Sequence, residues 1–514
     1  MEKYNSTDNQ KQLIKMSVCD KRINKEISGD FTLPDYQPEI KRLLRIGAEV
    51  LTPECSFGIN DCEISGNIDY YVIYLGADNQ MYCAPLTGEY RMTLPLDDGM
   101  GLFYDGDASV VCELVSGRVT AKRKISIRSK LLACANIFNN VSLENDFAMG
   151  ADPSYTERLD GVVNAGVIGR GVSDVIRVCD ELIPDSRNGE IRVVCAEGKV
   201  GICEVSAQSG EVNCKGDVYM KLIMCSESGD LPYTVTRKMP FSASVFVQSS
   251  VNSATASASG RVNELSVTVE DGRIAIDAGV VINATVGYNK EIPYTRDMYS
   301  TLCDTECDYF SPDVLVSKGG FNTNLSVGET RSLDELGISP DLSLVDICGD
   351  ASIESTEFCD GKARLTGKIK YTLLFCREGE YSPTELEFPF IFATDVKDGT
   401  HKVVCECTAV NCRGRIDGER IGIDSEIYIN GSFYGKEKIN TLSALHFGEL
   451  IKKENGSICV CYPSPADSLW SVGKRYHTTA SKLISDNPHI SKNENVSSMD
   501  ISKPLENAKY LIVS

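Results

Sequence analysis

Histidine is scarce in this chain, with four in 514 residues, and tryptophan occurs once. A Ser-His-Asp hydrolase needs a histidine within hydrogen-bond reach of its nucleophile, and no Gly-x-Ser-x-Gly elbow marks such a serine. His401 reads as a solvated loop residue; the others are His446, His477 and His489. The Gly-x4-Gly-Lys-Ser/Thr loop that cradles nucleotide phosphates is also missing. Lys and Arg number 52 against 73 Asp and Glu, and the resulting net charge of -21 repels a phosphate backbone. Nucleic acid is therefore excluded as a partner, and broad attachment to anionic lipid with it. Nowhere do 18 apolar residues follow one another, and the polar stretch Met1 to Asn24 lacks the apolar core of a secretory signal. The expectation is a cytoplasmic chain without integral membrane association.

What is present suits buried cores: 42% of the residues are hydrophobic and 24% charged. At about 100–200 residues per domain, the length implies several domains. The 21 cysteines are scattered through strand-like segments instead of forming a short secreted framework, so they read as reduced, mostly buried thiols. Cys303-x3-Cys307 and Cys405-x-Cys407-x4-Cys412 lack the two close pairs of a structural zinc site. Cys405 and Cys407 share one strand face, as ordinary burial requires. No metal and no other cofactor is expected.

An apolar alternation starts at Gly66, again at Gly216 and again at Gly367, spaced by 150 and 151 residues. Ile68, Val218 and Ile369 match one another, as do Tyr70, Met220 and Tyr371, then Val72, Leu222 and Leu373, then Tyr74, Met224 and Phe375. Period two puts each set on one face of a half-buried strand. Apolar-Pro-apolar triplets follow at Leu94-Pro95-Leu96, Met239-Pro240-Phe241 and Phe388-Pro389-Phe390. Proline lacks a ladder donor, which predicts a sheet edge or strand start. An Ile-x-Ile pair closes the pattern at Ile125 and Ile127, Ile274 and Ile276, and Ile421 and Ile423. Pro38-Glu39-Ile40 and Pro340-Asp341-Leu342 read as a short helix or turn feeding the first strand. The fold class is therefore mainly β, with three tandem all-β domains; a sandwich is preferred to a barrel, which the pattern does not exclude. The domains are read as 30–147, 158–288 and 319–435, after an N-terminal extension 1–29.

Beyond Ser457 the pattern changes to strand, helix, helix, strand, a small α+β module over 458–514. Ile458 to Tyr462 alternates, Asp467 or Ser468 caps a helix with Leu469, Val472 and Tyr476 on one face, and Thr478 or Thr479 caps a second with Leu483 and Ile484. Tyr510 to Val513 closes the module. Asp467-Ser468-Leu469-Trp470, Lys474-Arg475-Tyr476 and Asn487-Pro488 occur in the order of a LysM module, which this segment resembles. It departs from that pattern at Ala466, where glycine is usual, and in the longer polar loop Lys492 to Lys503. The resemblance implies a ligand groove lined by Ala466, Asp467, Ser468, Leu469, Asn487, Pro488, His489 and Ile490. From the residues alone, Asp467 reads equally as a helix cap and Trp470 as core.

Leu33-Pro34-x-x-x-Pro38-Glu39-Ile40, Cys195-Ala196-Glu197-Gly198-Lys199-Val200 and the terminal LysM-like segment together resemble the SipL-type spore coat proteins of clostridia, whose β-domain is called SPOCS. That resemblance spans roughly residues 30 to 513. It implies a non-enzymatic assembly scaffold in the mother-cell cytosol, with its LysM-like module docking to the morphogenetic ATPase that coats the forespore, or to another coat protein. The alternative is a cell-wall protein that binds an N-acetylglucosamine-containing glycan through the same loops. A wall hydrolase anchored by the module ranks third, since no acid or nucleophile recurs at matching positions of the three units.

Overall fold

Every second side chain from Gly66 to Tyr74 is apolar, and in the computed structural model Ile68, Tyr70, Val72 and Tyr74 are all buried, as are the matched sets that follow Gly216 and Gly367. The structure describes residues 13–96, 104–143, 155–184, 191–226, 231–270, 272–451, 458–490, 500–505 and 508–514. It is mainly β, with several antiparallel sheets.

The first body holds β1 (Leu13–Thr32), β2 (Ile40–Val50), β3 (Glu54–Phe57), β4 (Asp61–Gly76), β5 (Met81–Pro95), β6 (Tyr104–Ala121) and β7 (Lys124–Ser142). One of its sheets centres on β4, with β2 and β3 on one side and β5 on the other; β1, β7 and β6 lie side by side in the second. Ile64, Ile68 and Val72 of the first sheet and Ile125, Ile127 and Leu131 of the second belong to one buried cluster, so the two sheets face each other.

The same strand order recurs twice. The second body has β8 (Thr156–Val172), β9 (Ile176–Leu182), β10 (Ile191–Gln208), β11 (Glu211–Ser226), β12 (Tyr233–Phe246), β13 (Thr255–Glu270) and β14 (Arg273–Ser300). Its sheets run β10-β11-β12 and β13-β14-β8. After β15 (Cys303–Phe310), the third body has β16 (Asp313–Ser332), β17 (Ser343–Cys359), β18 (Lys362–Arg377), β19 (Glu380–Asp395), β20 (Thr400–Asp417) and β21 (Arg420–Lys438). Its sheets run β17-β18-β19 and β20-β21-β16. Pro95, Pro240 and Pro389 lie on the outer strands β5, β12 and β19, where a missing N–H breaks no ladder. A turn closed by Gln37 N–H on the Pro34 carbonyl feeds β2, and one closed by Leu342 N–H on Ser339 feeds β17.

Three boundaries differ from the sequence reading. Residues 13–29 are no extension: β1 pairs with β7 from Leu13 opposite Ser142 to Thr32 opposite Lys124. Ile14 is buried against Leu143 and Val314, and beyond it the apolar side chains Ile23, Ile27 and Phe31 are thinly spaced because this part of the strand covers the core with one face and meets water with the other. The second body runs past 288, as β14 pairs with β8 as far as Ser300. Between the third body and the C-terminal module, β22 (Thr441–Leu450) pairs with β15 in a ribbon whose two register shifts, between Cys303 and Thr305 and between Asp308 and Tyr309, break the alternation. His401 is exposed but stands at the start of β20, not in a loop.

The three bodies are not strung out as beads. β5 lies against β10, β12 against β17 and β19 against β2, so the contacts close a ring. Leu44, Ile73, Met81, Val194, Cys195, Ile223, Val345 and Leu374 form one buried cluster at its centre. Beside that cluster sits a charge-balanced group. Arg45 reaches Asp346 at 2.6 Å and also pairs with Glu197, and Lys221 reaches Glu197 and Asp346 at 3.0 Å each. Burial raises the Asp346 carboxyl, but the charges of Lys221 and Arg45 more than offset this and hold it below the ordinary range. One further join, Met16 opposite Val314, merges the β1 and β16 sheets into six strands. Among the described residues no helix is long and apolar enough to cross a membrane.

Candidate functional site

The C-terminal segment builds its own small core from short elements. β23 (Cys459–Cys461) pairs antiparallel with β24 (Leu511–Val513), and between them stand α1 (Leu469–Tyr476) and α2 (Ala480–Asp486). Cys461, Leu469, Val472, Leu483, Ile484, Leu511 and Val513 pack together. Ser468 is the cap of α1: its hydroxyl accepts from Ser471 N–H at 3.1 Å, and Ser471 Oγ accepts from Ser468 N–H at 2.9 Å. Thr479 caps α2, accepting from Lys482 N–H at 3.1 Å. Left-handed His477, with φ 52°, lets the chain turn from one helix into the next.

The eight groove residues divide into two differently held groups. Asp467 is buried; it accepts from Ser464 N–H at 2.8 Å and from Arg475 Nη2 at 2.6 Å. The Arg475 bond pulls its carboxyl down to about 2. Leu469 belongs to the core, Ser468 is buried at the cap, and Ala466 is exposed. Asp500–Leu505 runs against this loop: Leu505 N–H donates to the Asp467 carbonyl at 2.8 Å, Trp470 N–H to Ile501 at 3.0 Å, and Ser468 bridges Pro504. Of the polar loop Lys492 to Lys503, residues 492–499 lie outside the described residues.

The second group is tied to β24. Asn487 is fully buried and works as a clamp, donating to Leu483 at 2.8 Å and Ile512 at 2.7 Å while its Oδ1 accepts from Ile512 N–H at 2.6 Å. His489 is exposed, its ring 5.2 Å from that of Tyr510 and its Nε2 3.2 Å from the Tyr510 carbonyl. Pro488 is exposed and Ile490 half-buried. Five of the eight side chains therefore serve the interior of the module, since Ile490 packs against its core beside Asp467, Ser468, Leu469 and Asn487, while Ala466, Pro488 and His489 are exposed.

Sequence reasoning missed a second face of α1. Trp470, Gly473, Lys474 and His477 recur at helical spacing opposite the core face, and they meet the far end of β14. The indole Nε1 donates to Asp297 Oδ2 at 2.8 Å, and its ring stands edge-on to Tyr299 at 4.8 Å. Lys474 Nζ and the Tyr309 hydroxyl donate to the other carboxylate oxygen, Asp297 Oδ1, at 2.6 and 2.9 Å. Burial raises the Asp297 carboxyl, but these three donors hold it below the ordinary range. A Cβ at position 473 would lie 2.5 Å from the Tyr299 hydroxyl, which donates to the Thr478 carbonyl at 2.7 Å. Only glycine lets helix and strand approach so closely. The lone tryptophan is buried as the residue type suggested, but in a joint between module and body.

A wide cleft lies elsewhere, between the three bodies. It holds about 1980 Å3 and is lined by charges of both signs, among them Glu49, Lys199, Asp350 and Arg261. Cys405 and Cys407 pack against the third core as half-buried apolar groups. Comparison with protein-family models, with curated proteins and with solved structures finds no match to the chain.

Proposed function

We propose that this chain is a non-enzymatic scaffold for spore coat assembly, resembling the SipL type. In this reading it carries three copies of one SPOCS-like β-domain and a LysM-like module that docks to the morphogenetic ATPase around the forespore, or to another coat protein, from the mother-cell cytosol. The observation that carries the reading is the outer face of the module's small sheet. Ile458, Val460 and Tyr462 alternate onto one side of β23 and are 71, 49 and 78% exposed, and Tyr510, 45% exposed, extends the face from β24. Large apolar and aromatic side chains left together in water mark a surface that another protein covers. Fixing α1 to β14 presents this face on a closed ring of three bodies, so one docked module carries the whole ring with it.

The same geometry favours protein over an N-acetylglucosamine-containing glycan as the ligand. A sugar groove needs free polar groups, and those of Asp467, Ser468 and Asn487 are already bonded within the module.

The test is a fluorescent fusion of the full chain carrying Val460→Asp and Tyr462→Asp, followed in sporulating cells. Signal spread through the mother cell, with unchanged circular dichroism and unchanged Trp470 emission, is the expected result. Undiminished collection of the variant at the forespore would sink the docking role. Saturable binding of chitooligosaccharide by the full chain at millimolar ligand would move the reading to the glycan alternative.

A further inference from the structure

We propose that Cys83 and Cys195 are a modification site, a thiol pair that a peroxide converts to a reversible disulfide tying the first body to the second. Cys83 stands on β5 and Cys195 on β10, where those bodies meet, and the two sulfurs are 3.1 Å apart. A disulfide bond is about 2.05 Å long, so the gap to close is about 1 Å, a distance that small torsional changes in two side chains span. Cys195 is buried in the central cluster, while Cys83 is half-buried at its rim and gives a small oxidant its approach.

The surroundings divide the labour between the two sulfurs. The hydrogen bond from Cys83 pulls the Cys195 thiol down; burial opposes this, and the cations of Arg45 and Lys221 reinforce it. The same bond and burial push the Cys83 thiol up. Cys195 is the sulfur that attacks, and Cys83 is the one that resolves.

In the first step the Cys195 sulfur attacks one oxygen of the peroxide and the O–O bond breaks. The product is a sulfenic acid, and the departing oxygen takes the proton that Cys195 gave up, leaving as water. In the second step the Cys83 sulfur attacks the Cys195 sulfur, the S–O bond breaks, and hydroxide leaves with the Cys83 proton as a second water. Two thiols lose two electrons and two protons, and one hydrogen peroxide becomes two waters. A thiol reductant reverses the bond by exchange.

The consequence is mechanical. The two cysteines are 112 positions apart, and a crosslink that closes so long a loop removes much freedom from the unfolded chain. Oxidation therefore locks one of the three contacts that close the ring.

The experiment treats the reduced full chain with hydrogen peroxide at rising dose, blocks remaining thiols with N-ethylmaleimide, digests without reduction and maps the peptides. The expected result is a Cys83–Cys195 linked peptide at the lowest effective dose, removed by dithiothreitol, with a Tm raised by roughly 5 °C. In Cys83→Ser, Cys195 accumulates as sulfenic acid, trapped by dimedone, and no rise in Tm follows. Exposed Cys179, Cys203, Cys359 and Cys459 serve as internal controls in the unsubstituted chain, so the reading survives a variant that does not fold. Their oxidation with Cys83 and Cys195 both recovered as blocked thiols would overturn the proposal, and so would either cysteine found linked to a different partner.

Discussion

The hydroxyl of Ser129 donates to the Tyr70 hydroxyl at 2.9 Å across the core of the first body, joining its two facing sheets. Tyr371 and Ser425 make the matching bond in the third body at 2.6 Å. In the second body Met220 and Ala278 stand at the matching positions, both buried, so the two polar groups are absent together. This is what the cost of a lone buried hydroxyl requires, since an unpaired one loses its water and gains nothing. Ser129→Ala is expected to destabilise the chain by about 1–3 kcal/mol, and Tyr70→Phe by a similar amount. The double variant should cost less than the sum, with a coupling of about 1 kcal/mol. Urea unfolding of the four chains measures the cycle; additive losses would show that each hydroxyl finds another partner.

Arg45 carries a heavier charge burden. Its guanidinium is buried against Asp346, whose side chain is 0% exposed, and Glu197. Arg45→Met leaves an acid in the apolar centre with Lys221 alone to neutralise two carboxylates, and the expected loss is about 3–5 kcal/mol. Adding Asp346→Leu leaves Lys221 and Glu197 as a balanced pair and should recover more than half of that loss. Denaturation midpoints at neutral pH read both effects, and a double variant no more stable than the single one would refute charge balance as the cause.

The sequence exposes some of these features and conceals others for physical reasons. A strand that buries one face must alternate, so the sets beginning at Ile68, Val218 and Ile369 are legible from spacing alone. The ring is not. Arg45, Cys195 and Asp346 occupy matching places, opposite Ile73, Ile223 and Leu374 of their partner strands. Across a ring of three bodies that differ in sequence, a contact needs complementary residues and not repeated ones. A search for self-similarity therefore registers the centre as divergence. The ribbon of β15 and β22 escaped for another reason, because its two register shifts keep Leu442, Leu445, Phe447 and Leu450 from recurring at period two. In the module, helix caps and core face could be read, but the groove could not. Asp467 and Asn487 have the residue types of a ligand site, yet their bonds run to Arg475, Ser464, Leu483 and Ile512. Trp470, Gly473, Lys474 and His477 did carry a signal, an aromatic on the face opposite the core at helical spacing.

Acid should loosen the start of α1. The Asp467 carboxyl is drawn down to about 2, first by its bond from Arg475, whereas an aspartate in an unfolded chain titrates near 3.9. A group depressed in the folded state contributes stability that is fully present above its unfolded value and lost as pH falls through its folded one. Protection of the α1 amides from hydrogen exchange should therefore fall between about pH 4 and pH 2. Asp467→Asn should be less protected at pH 7 and nearly flat across that window. A variant that keeps the original pH profile would assign the acid response to another carboxylate, such as Asp297.

The joint between module and body can be watched through the lone tryptophan. Trp470 emits from a buried site only while its indole sits between Tyr299 and Asp297. Asp297→Ala strips a partner from the indole N–H and from Lys474 at once, and should weaken the joint by about 2 kcal/mol. Asp297→Asn keeps an acceptor for the indole but no charge for Lys474, so its loss should be smaller. Since β14 and the module core stay intact in both, far-ultraviolet circular dichroism should hold steady while the Trp470 emission shifts to longer wavelength at lower urea than in the unsubstituted chain. Emission and circular dichroism changing together at the original midpoint would mean that module and body unfold as one unit. In that case the carboxylate orients the helix without securing it.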